Sequence, residues 1–302
     1  MNLEDKTPHG RRSGGRAARK ALRSSPLATD LRPVSPGMQG GNYNPLKKMD
    51  VEKIHHAALN ALENIGLADA PPTGEATLIA AGAVLGDDGR LRFPRALVED
   101  MISIAAKDIT LCGREDSNDM LLSQNRVHYG TAGAAVHLVD LEKREYRESQ
   151  LSDLYAAAHI VDQLDNLHFL QRPMVCRDIS NNFEMDLNTV FACCSGTTKH
   201  VGTSFTEGSY VDPIMEMVHL MAGGESKWRA RPFISNSNCF VVPPMKFATE
   251  SCQVMERCIA HGMPVLLLSA GQAGATAPAP IAGAIVQAVA ECLAGVVYVN
   301  SI

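Results

Sequence analysis

Hydrophobic positions in the first third of the chain follow helical spacing, whereas short apolar runs alternate with helices from residue 126 onward. Within residues 51–62, apolar side chains recur three and four positions apart, which predicts an amphipathic helix. Gly66 suits the end of that helix, and Pro94 suits the first position of a later one. We therefore predict a small helical cap over residues 46–125.

From residue 126 the pattern repeats as a strand followed by a helix, with a hairpin excursion after the first strand. The predicted strands cover residues 126–131, 167–172, 200–205, 232–236 and 264–269. Short strands that alternate with helices are typical of a parallel sheet. A repeat of about thirty residues suits either a doubly wound sheet or a TIM-type (β/α)8 barrel. No Gly-x-Gly-x-x-Gly follows a strand, which disfavours the dinucleotide-binding doubly wound fold.

The predicted fold class is α/β, a TIM-type barrel that is incomplete here. A barrel of this type needs eight strands, and five would leave an open edge with unpaired backbone groups. We therefore expect a chain truncated at its carboxyl end. The expected organisation is a flexible basic arm at residues 1–45, the helical cap at 46–125 and the partial barrel at 126–302. The arm is rich in Arg, Lys, Ser, Gly and Pro, so it has little apolar surface to bury.

Composition narrows the class of protein. Of the 302 residues, 45% are hydrophobic and 20% are charged, and the net charge of −5 argues against binding to nucleic acid. The eight cysteines form no Cys-x-x-Cys pair and most lie in apolar runs, which predicts reduced thiols in a cytoplasmic protein. No long apolar run is free of Glu or Gln, and no secretory signal is recognisable, so no membrane association is expected.

Ten residues at or after the predicted strand ends are our candidates for substrate binding, because the loops that follow the strands carry function in such folds. They are Tyr129, Thr131, Arg172, Asp178, Ser204, Glu207, Asn236, Ser269, Gln272 and Gly274. No catalytic residue is singled out. The loop at 269–278 is the most informative, since its small residues let a ligand approach the backbone. A tight strand-to-helix connection would explain the same residues equally well.

Two further polar features are interpreted from their spacing. His128 and His200 stand alone at strand ends, without a second histidine or a cysteine at ligand spacing, so no metal site is expected. Gln287 and Glu291 are four positions apart and share a face of the apolar last helix. A helix–helix hydrogen bond is the favoured interpretation of this pair, and a polar patch facing the cavity is the alternative.

Several segments resemble the trimethylamine:corrinoid methyltransferase family. The lead-in GRRSGGR at 10–16 is similar to that of many bacterial members. The family's central block is similar to the segments CQV, GMPV, QAGATAP, IAGAIVQ and AECLAG, which lie between Cys252 and Gly295. The resemblance covers most of the chain from about residue 45 onward.

The resemblance implies a TIM barrel that transfers a methyl group from a tertiary or quaternary amine, such as trimethylamine or glycine betaine, to the Co(I) corrinoid (cobalamin) of a partner protein. The chain itself would then bind no cofactor. A quaternary ammonium leaves as a neutral amine without a proton donor, so the protein supplies positioning and desolvation. Glu207 or Asp178 would balance the cation, and Tyr129 or Phe205 would face it.

The resemblance also implies features beyond this chain, and two alternatives stay open. Archaeal members carry pyrrolysine in a later region, and this chain ends before that region. The complete protein is expected to be a homo-oligomer. One alternative is another barrel enzyme, a lyase or aldolase, although no strand shows an obvious buried lysine for a Schiff base. The other is an inactive fragment with a binding role, because five strands do not close a barrel.

Overall fold

The computed structural model describes residues 15, 16, 20, 21, 25 and 34–302. The chain divides into two compact units, Met1–Ser35 and Pro36–Ile302, and the description below concerns the second. Most of the predicted basic arm, including the arginine-rich segment at 10–14, lies outside the described residues.

The first part of this unit consists of three helices and several two- or three-residue strands. In chain order these are β1 (Met38–Gln39), α1 (Lys48–Asn64), α2 (Pro72–Ala81), β2 (Val84–Leu85), β3 (Leu91–Arg92), α3 (Arg95–Ile104), β4 (Ile109–Leu111), β5 (Met120–Leu122) and β6 (Arg126–Val127). The predicted helical cap is therefore helical with short antiparallel pairs, β2 with β3 and β4 with β5.

The second part alternates strands and helices. In chain order these are β7 (His137–Val139), β8 (Tyr146–Glu148), α4 (Leu151–Gln163), β9 (Phe169–Gln171), α5 (Asn182–Gly196), β10 (His200–Thr203), α6 (Gly208–Ala222), α7 (Glu225–Ala230), β11 (Ile234–Asn238), β12 (Val241–Val242), β13 (Lys246–Phe247), α8 (Thr249–Ala260), β14 (Val265–Leu267) and α9 (Ile281–Ser301). The predicted hairpin excursion is present as the antiparallel pair of β7 and β8.

Four parallel strands form the central sheet, in the order β9, β10, β11 and β14. Val201 of β10 is level with Leu170 on one side and Ile234 on the other, and Asn236 is level with Val265 of β14. Because neighbouring strands in the sheet are also successive in the alternating pattern, the predicted α/β class is confirmed. The described residues do not close a barrel.

The first predicted strand, at 126–131, differs from the prediction. Residues 126–127 pair antiparallel with β1, and only Gly130 forms a parallel bridge, to Phe169 at the edge of the sheet. The partner of β6 is Met38–Gln39, which the sequence placed in the basic arm. The alternation of apolar residues identified an extended segment here, but its partner lies about ninety positions earlier in the chain and gives no local signal.

Two hydrophobic cores hold the unit together. One lies between the helices α4 to α8 and the outer face of the sheet, and it contains Leu170, Val201 and Trp228. The other joins the cap helices to α9 and contains Leu59 and Tyr298. The cap therefore packs onto the last helix through a shared core, and the boundary at 125/126 stays a prediction.

Helix α9 is the one described helix that is long and apolar enough to cross a membrane, with a mean hydropathy of 1.8 over its best window. As the sequence indicated, Gln287 and Glu291 interrupt its apolar run. A core helix of a folded domain can have the same length and composition. Ala290, Ala294 and Val297 of α9 are fully buried in the second core, as expected for a core helix.

Candidate functional site

Parallel strands bring their carboxyl ends to one edge of the sheet, and Arg172 and Ser204 meet there. Arg172 directly follows β9 and Ser204 directly follows β10. Arg172 Nη2 donates a hydrogen bond of 3.1 Å to Ser204 Oγ, and both residues are half-buried. Two of the ten candidates are thus brought together by adjacent strands, and the guanidinium has no ion-pair partner among the described residues.

A buried carboxylate stabilises the loop that follows β10 at this edge. Asp186 of α5 is 1% exposed and accepts hydrogen bonds from Thr206 N (2.6 Å) and Thr206 Oγ1 (3.1 Å). Burial raises the pKa of Asp186, which its bonds to Thr206 and the charge of Arg172 partly oppose. The Asp186 carboxylate therefore fixes the loop between β10 and α6. Asp186 was missed, although an acid four positions before Val190, on the buried face of its helix, was a usable signal.

Glu207 lies at the end of this loop and is exposed at the start of α6. Tyr210 Oη donates to Glu207 Oε1 at 3.1 Å, and the Tyr210 ring meets the Phe183 ring edge-on with centroids 5.5 Å apart. Desolvation and the bond to Glu207 raise the pKa of Tyr210. A carboxylate beside two aromatic rings suits a cation that has few hydrogen-bond donors. Tyr210 was findable from its spacing, since it follows Glu207 by three positions.

The inner face of the sheet carries a second polar contact that the sequence did not reveal. Ser237 Oγ of β11 donates to Gln171 Oε1 of β9 at 3.1 Å. This contact crosses β10, where Gly202 stands: a Cβ there would lie 2.0 Å from Gln171 Oε1. A glycine on the central strand thus leaves room for a side-chain bond between its two neighbours.

Tyr129 and Thr131 lie beside opposite ends of β9. Thr131 Oγ1 donates to the carbonyl of Gln171 at 2.5 Å, close to the carboxyl edge. Tyr129 instead lies at the amino end, where its backbone N–H donates to His168 Nδ1 at 2.9 Å. Phe205, the other ring expected to face a cation, is 9% exposed and packs in the first hydrophobic core. These placements favour Thr131 over the two rings as a member of the carboxyl-edge site.

The side chains of Asp178 and Asn236 accept hydrogen bonds from neighbouring helix and strand residues. Asp178 Oδ1 accepts the backbone N–H of Leu151 at 3.0 Å, at the first residue of α4. A carboxylate in that position stabilises a helix start. Asn236 lies within β11 with no exposed surface, and its Oδ1 accepts from Asn238 Nδ2 at 2.9 Å. Asp178 is exposed in its loop, whereas Asn236 is buried and its Nδ2 has no hydrogen-bond partner among the described residues.

The last three candidates lie in the loop after β14. Gln272 N–H donates to Thr276 Oγ1 at 2.9 Å, and Gly274, with φ +80°, donates its N–H to the carbonyl of Ala277 at 2.9 Å. The segment is therefore a turn closed by its own hydrogen bonds, and it is exposed. Ser269 differs, because its hydroxyl donates to Glu291 Oε2 of α9 at 2.5 Å.

The amino end of the sheet holds a buried histidine beside a cavity of about 320 Å³. His200 Nδ1 lies 2.8 Å from the carbonyl oxygen of Cys112, which can only accept, so Nδ1 carries the proton. His200 Nε2 then accepts from Ser235 Oγ at 2.9 Å. Burial lowers the pKa of His200 to about 4, so the ring is neutral. No group of three or more His, Cys, Asp or Glu side chains among the described residues could hold a metal ion.

A buried lysine, which sequence inspection did not find, precedes β10. Lys199 is 7% exposed, and its Nζ donates to the carbonyls of Val161 (2.6 Å) and Leu164 (2.8 Å) at the end of α4. Burial lowers the pKa of Lys199. The ammonium group lies at the amino end of the sheet and stabilises the carboxyl end of a helix. It therefore gives no support to a Schiff-base enzyme.

The fold and this edge define an α/β protein with a polar, partly aromatic site at the carboxyl ends of parallel strands. The sequence model of the trimethylamine methyltransferase family (MTTB) matches residues 12–302. The chain belongs to this family.

Named relatives agree with this assignment. The chain is 29% identical over 245 residues to trimethylamine methyltransferase MttB of Desulfitobacterium hafniense, which covers 81% of this chain and 49% of the relative. It is 25% identical to MttB1 of Methanosarcina mazei, covering 86% and 53%. It is 24% identical to a glycine betaine methyltransferase of Desulfitobacterium hafniense, covering 86% and 54%. The chain thus spans about half the length of the curated relatives it matches.

One solved structure, described as the hydroxylamine complex of MtmB, is 10% identical with a TM-score of 0.37. The match covers 72% of this chain and 49% of that one.

Proposed function

We propose that this protein transfers a methyl group from a tertiary or quaternary methylated amine to the corrinoid of a partner protein. The observation that carries the proposal is membership of the trimethylamine methyltransferase family across residues 12–302. Relatives named for trimethylamine and for glycine betaine support an amine of this class. Because the chain spans about half of those relatives, its activity, substrate and partner are all part of the proposal.

The ammonium group is proposed to bind at Glu207. A methylated ammonium is a bulky cation that offers few or no N–H donors, so charge and aromatic surface must recognise it. Glu207 supplies an exposed carboxylate, and Tyr210 beside it is stacked edge-on against Phe183. Asp186 holds the loop that carries Glu207 by its two bonds to Thr206.

Arg172 favours a substrate that also carries a carboxylate. Its guanidinium donates only to the neutral Ser204 hydroxyl among the described residues, so its charge is available to an anion. Arg172 directly follows β9 and Glu207 ends the loop after β10, which supports a substrate that carries both charges. A betaine has the matching pair of opposite charges, whereas trimethylamine has only the nitrogen.

In the proposed reaction the methyl carbon leaves the nitrogen, which keeps the bonding electron pair. A quaternary ammonium then departs as a neutral tertiary amine and needs no proton, whereas a tertiary amine must be protonated beforehand. The corrinoid supplies the nucleophile that receives the methyl group. Arg172, Ser204 and Glu207 contain neither an imidazole nor a thiol, so we assign them no contact with cobalt. Their role is to bind and orient the amine.

Three finer points belong to the same proposal. The four parallel strands with helices on their outer face support part of a TIM-type barrel. All eight cysteines are free thiols, which supports a cytoplasmic location. We also keep the homo-oligomer as the proposed state of the complete protein.

The test is methyl transfer by the 302-residue chain with a corrinoid protein held as Co(I). Trimethylamine and glycine betaine are supplied in turn, and corrinoid absorbance and the product amine are measured. We expect methylation that requires both proteins, with glycine betaine preferred. Absence of methylation with every amine would overturn the proposal.

The site is tested by calorimetry on Glu207→Gln. We expect substrate affinity to fall about tenfold, since the substitution removes one charge near the cation. Glu184→Gln is the matched control, because Glu184 is also exposed near the start of a helix at this edge. Unchanged affinity in Glu207→Gln would remove Glu207 from the site while leaving the reaction itself intact.

A further inference from the structure

Glu291 is a fully buried carboxylate at the centre of α9. Its Oε1 accepts hydrogen bonds from Met245 N (2.9 Å) and Gln287 Nε2 (3.0 Å), and its Oε2 accepts from Ser269 Oγ (2.5 Å). Three donors match the acceptor-only capacity of an ionised carboxylate. The interaction is therefore more than the helix–helix hydrogen bond expected from the sequence.

No lysine, arginine or histidine of the described residues lies within ion-pair distance of the Glu291 carboxylate. Two partly buried acids of this chain have such partners: Asp153 pairs with Arg147 at 2.7 Å, and Asp119 pairs with Arg231 at 2.8 Å. A buried carboxylate costs free energy unless an opposite charge or strong hydrogen bonds compensate it. Glu291 has the hydrogen bonds but lacks the opposite charge.

Two of the donors to the Glu291 carboxylate, Ser269 and Met245, lie in segments that follow strands at the carboxyl edge of the sheet. Ser269 begins the loop after β14, and Met245 lies in the segment that follows β11 between β12 and β13. Gln287 also donates to the carbonyl of Thr276 at 2.9 Å, which ties the loop after β14 to α9. Glu291 is thus the buried negative charge around which two carboxyl-edge loops are assembled.

We propose that Glu291 is a second, buried counter-charge that acts together with Glu207 and makes this edge select a methylated ammonium over a molecule of the same shape without the positive charge. The proposal rests on the proposed function. Glu291 is a positioning residue, since Ser269 and the Met245 backbone separate its carboxylate from the loop surface. The field of an unpaired charge acts across such a distance because the buried side chain is little screened.

The experiment compares two ligands that differ in one atom. Glycine betaine and 3,3-dimethylbutanoate have the same shape, but only the first carries a positive charge. Binding of each to the wild-type chain and to Glu291→Gln is measured by calorimetry. We expect wild type to prefer glycine betaine. We expect the variant to bind glycine betaine about tenfold more weakly, whereas its affinity for 3,3-dimethylbutanoate, an anion without the ammonium group, should be equal or higher.

Two further variants separate charge from structure. Ser269→Ala keeps the charge and removes one donor, so it should retain the preference for the cation. Glu256→Gln is the matched control, because Glu256 also accepts from hydroxyl groups, Tyr298 Oη at 2.5 Å and Thr73 Oγ1 at 2.9 Å, away from the carboxyl edge. It should keep wild-type selectivity.

The outcomes are distinct. Equal glycine betaine affinity in wild type and Glu291→Gln overturns the role of Glu291 and leaves the proposed function standing. Equal losses for both ligands, or the same loss in Ser269→Ala, would show that the network only holds the loops and would also overturn it. If wild type binds neither glycine betaine nor trimethylamine, the proposed function fails and this inference fails with it.

Discussion

Burial lowers the pKa of His200 and raises the pKa of Asp186, so the two residues change the stability of the protein with pH in opposite directions. His200 is 1% exposed with a pKa lowered to about 4, and Asp186 is equally buried with a raised pKa. In both cases desolvation disfavours the charged form. The free energy of unfolding therefore falls at low pH because of His200 and rises at low pH because of Asp186.

The pH dependence of stability should identify His200. Between its ordinary value near 6.5 and its folded value of about 4, the unfolded state binds the proton and the folded state does not. Stability therefore falls as pH drops through that window, by at most about 3 kcal/mol for this group. Urea unfolding at pH 7 and pH 4.5 should show a larger loss for wild type than for His200→Gln. Equal losses of unfolding free energy in wild type and His200→Gln would contradict the conclusion that His200 is neutral in the folded protein.

Asp186 should show the opposite trend. Its folded pKa lies above the ordinary value of 3.8, so its contribution is complete below that value and is lost as pH rises through the folded value. Asp186→Asn keeps an acceptor for Thr206 N–H without the charge, and its unfolding free energy at pH 7 should be equal to wild type or higher. Asp186→Ala leaves that N–H unpaired and should cost about 1–3 kcal/mol. A larger loss for Asn than for Ala would contradict this account.

At the scale of elements, the close approach of α9 to the sheet depends on Gly295. A Cβ at this position would lie 2.7 Å from the Phe240 ring and 3.0 Å from Leu267 Cδ1. Both neighbours are packed in the second core, so neither can yield easily. The same helix carries Glu291, and its position against β14 therefore affects the carboxyl edge.

Gly295→Ala should therefore destabilise the protein by about 1–3 kcal/mol in thermal or urea unfolding, despite the better helix propensity of alanine. Gly283→Ala on the same helix is the control. Its Cβ would meet Pro278 at 2.9 Å, but that proline lies in an exposed loop that can shift. A loss in Gly283→Ala as large as that in Gly295→Ala would show that helix propensity or the loop, and not core packing, is responsible.

The strand centres and the order of the parallel strands were predictable from the sequence, whereas the partner of β6 was not. The predicted strands at 167–172, 200–205 and 264–269 contain β9, β10 and β14. Buried parallel strands produce local apolar runs, which explains these successes. The partner of β6 lies near residue 38, and such a pairing depends on tertiary contacts that no local pattern records.

Across the molecule as a whole, the burial of the eight cysteines shows how closely its two cores are packed. Six are buried, whereas Cys239 and Cys292 are only partly buried. Burial raises the pKa of Cys194, Cys252 and Cys258 to about 12. Because the thiolate is the reactive form, these side chains should react slowly.

Titration with a thiol reagent at pH 8 should therefore give a slow, partial reaction in the native state, led by Cys239 and Cys292, and eight thiols in guanidinium chloride. Cys239→Ser with Cys292→Ser should remove the early phase. Rapid native reaction of the six buried thiols would contradict the packing described above. Fewer than eight thiols after unfolding without reductant would contradict eight free cysteines.

Local residue patterns were sufficient to predict the alternation of strands and helices, the apolar character of α9 and the family blocks, because these features depend on residues close together in the chain. It also placed Arg172 and Ser204 at one edge, since parallel strands align their carboxyl ends.

Which polar groups meet depends on contacts between segments that are far apart in the chain. Asp186 is joined to Thr206 20 positions away, and Glu291 is joined to Ser269 and Met245 at 22 and 46 positions. Likewise the bond between the Asp178 carboxylate and the start of α4 joins positions 27 apart. Hydrogen-bond partners and burial arise from packing between distant segments, and the spacing of residues in a sequence does not contain that information.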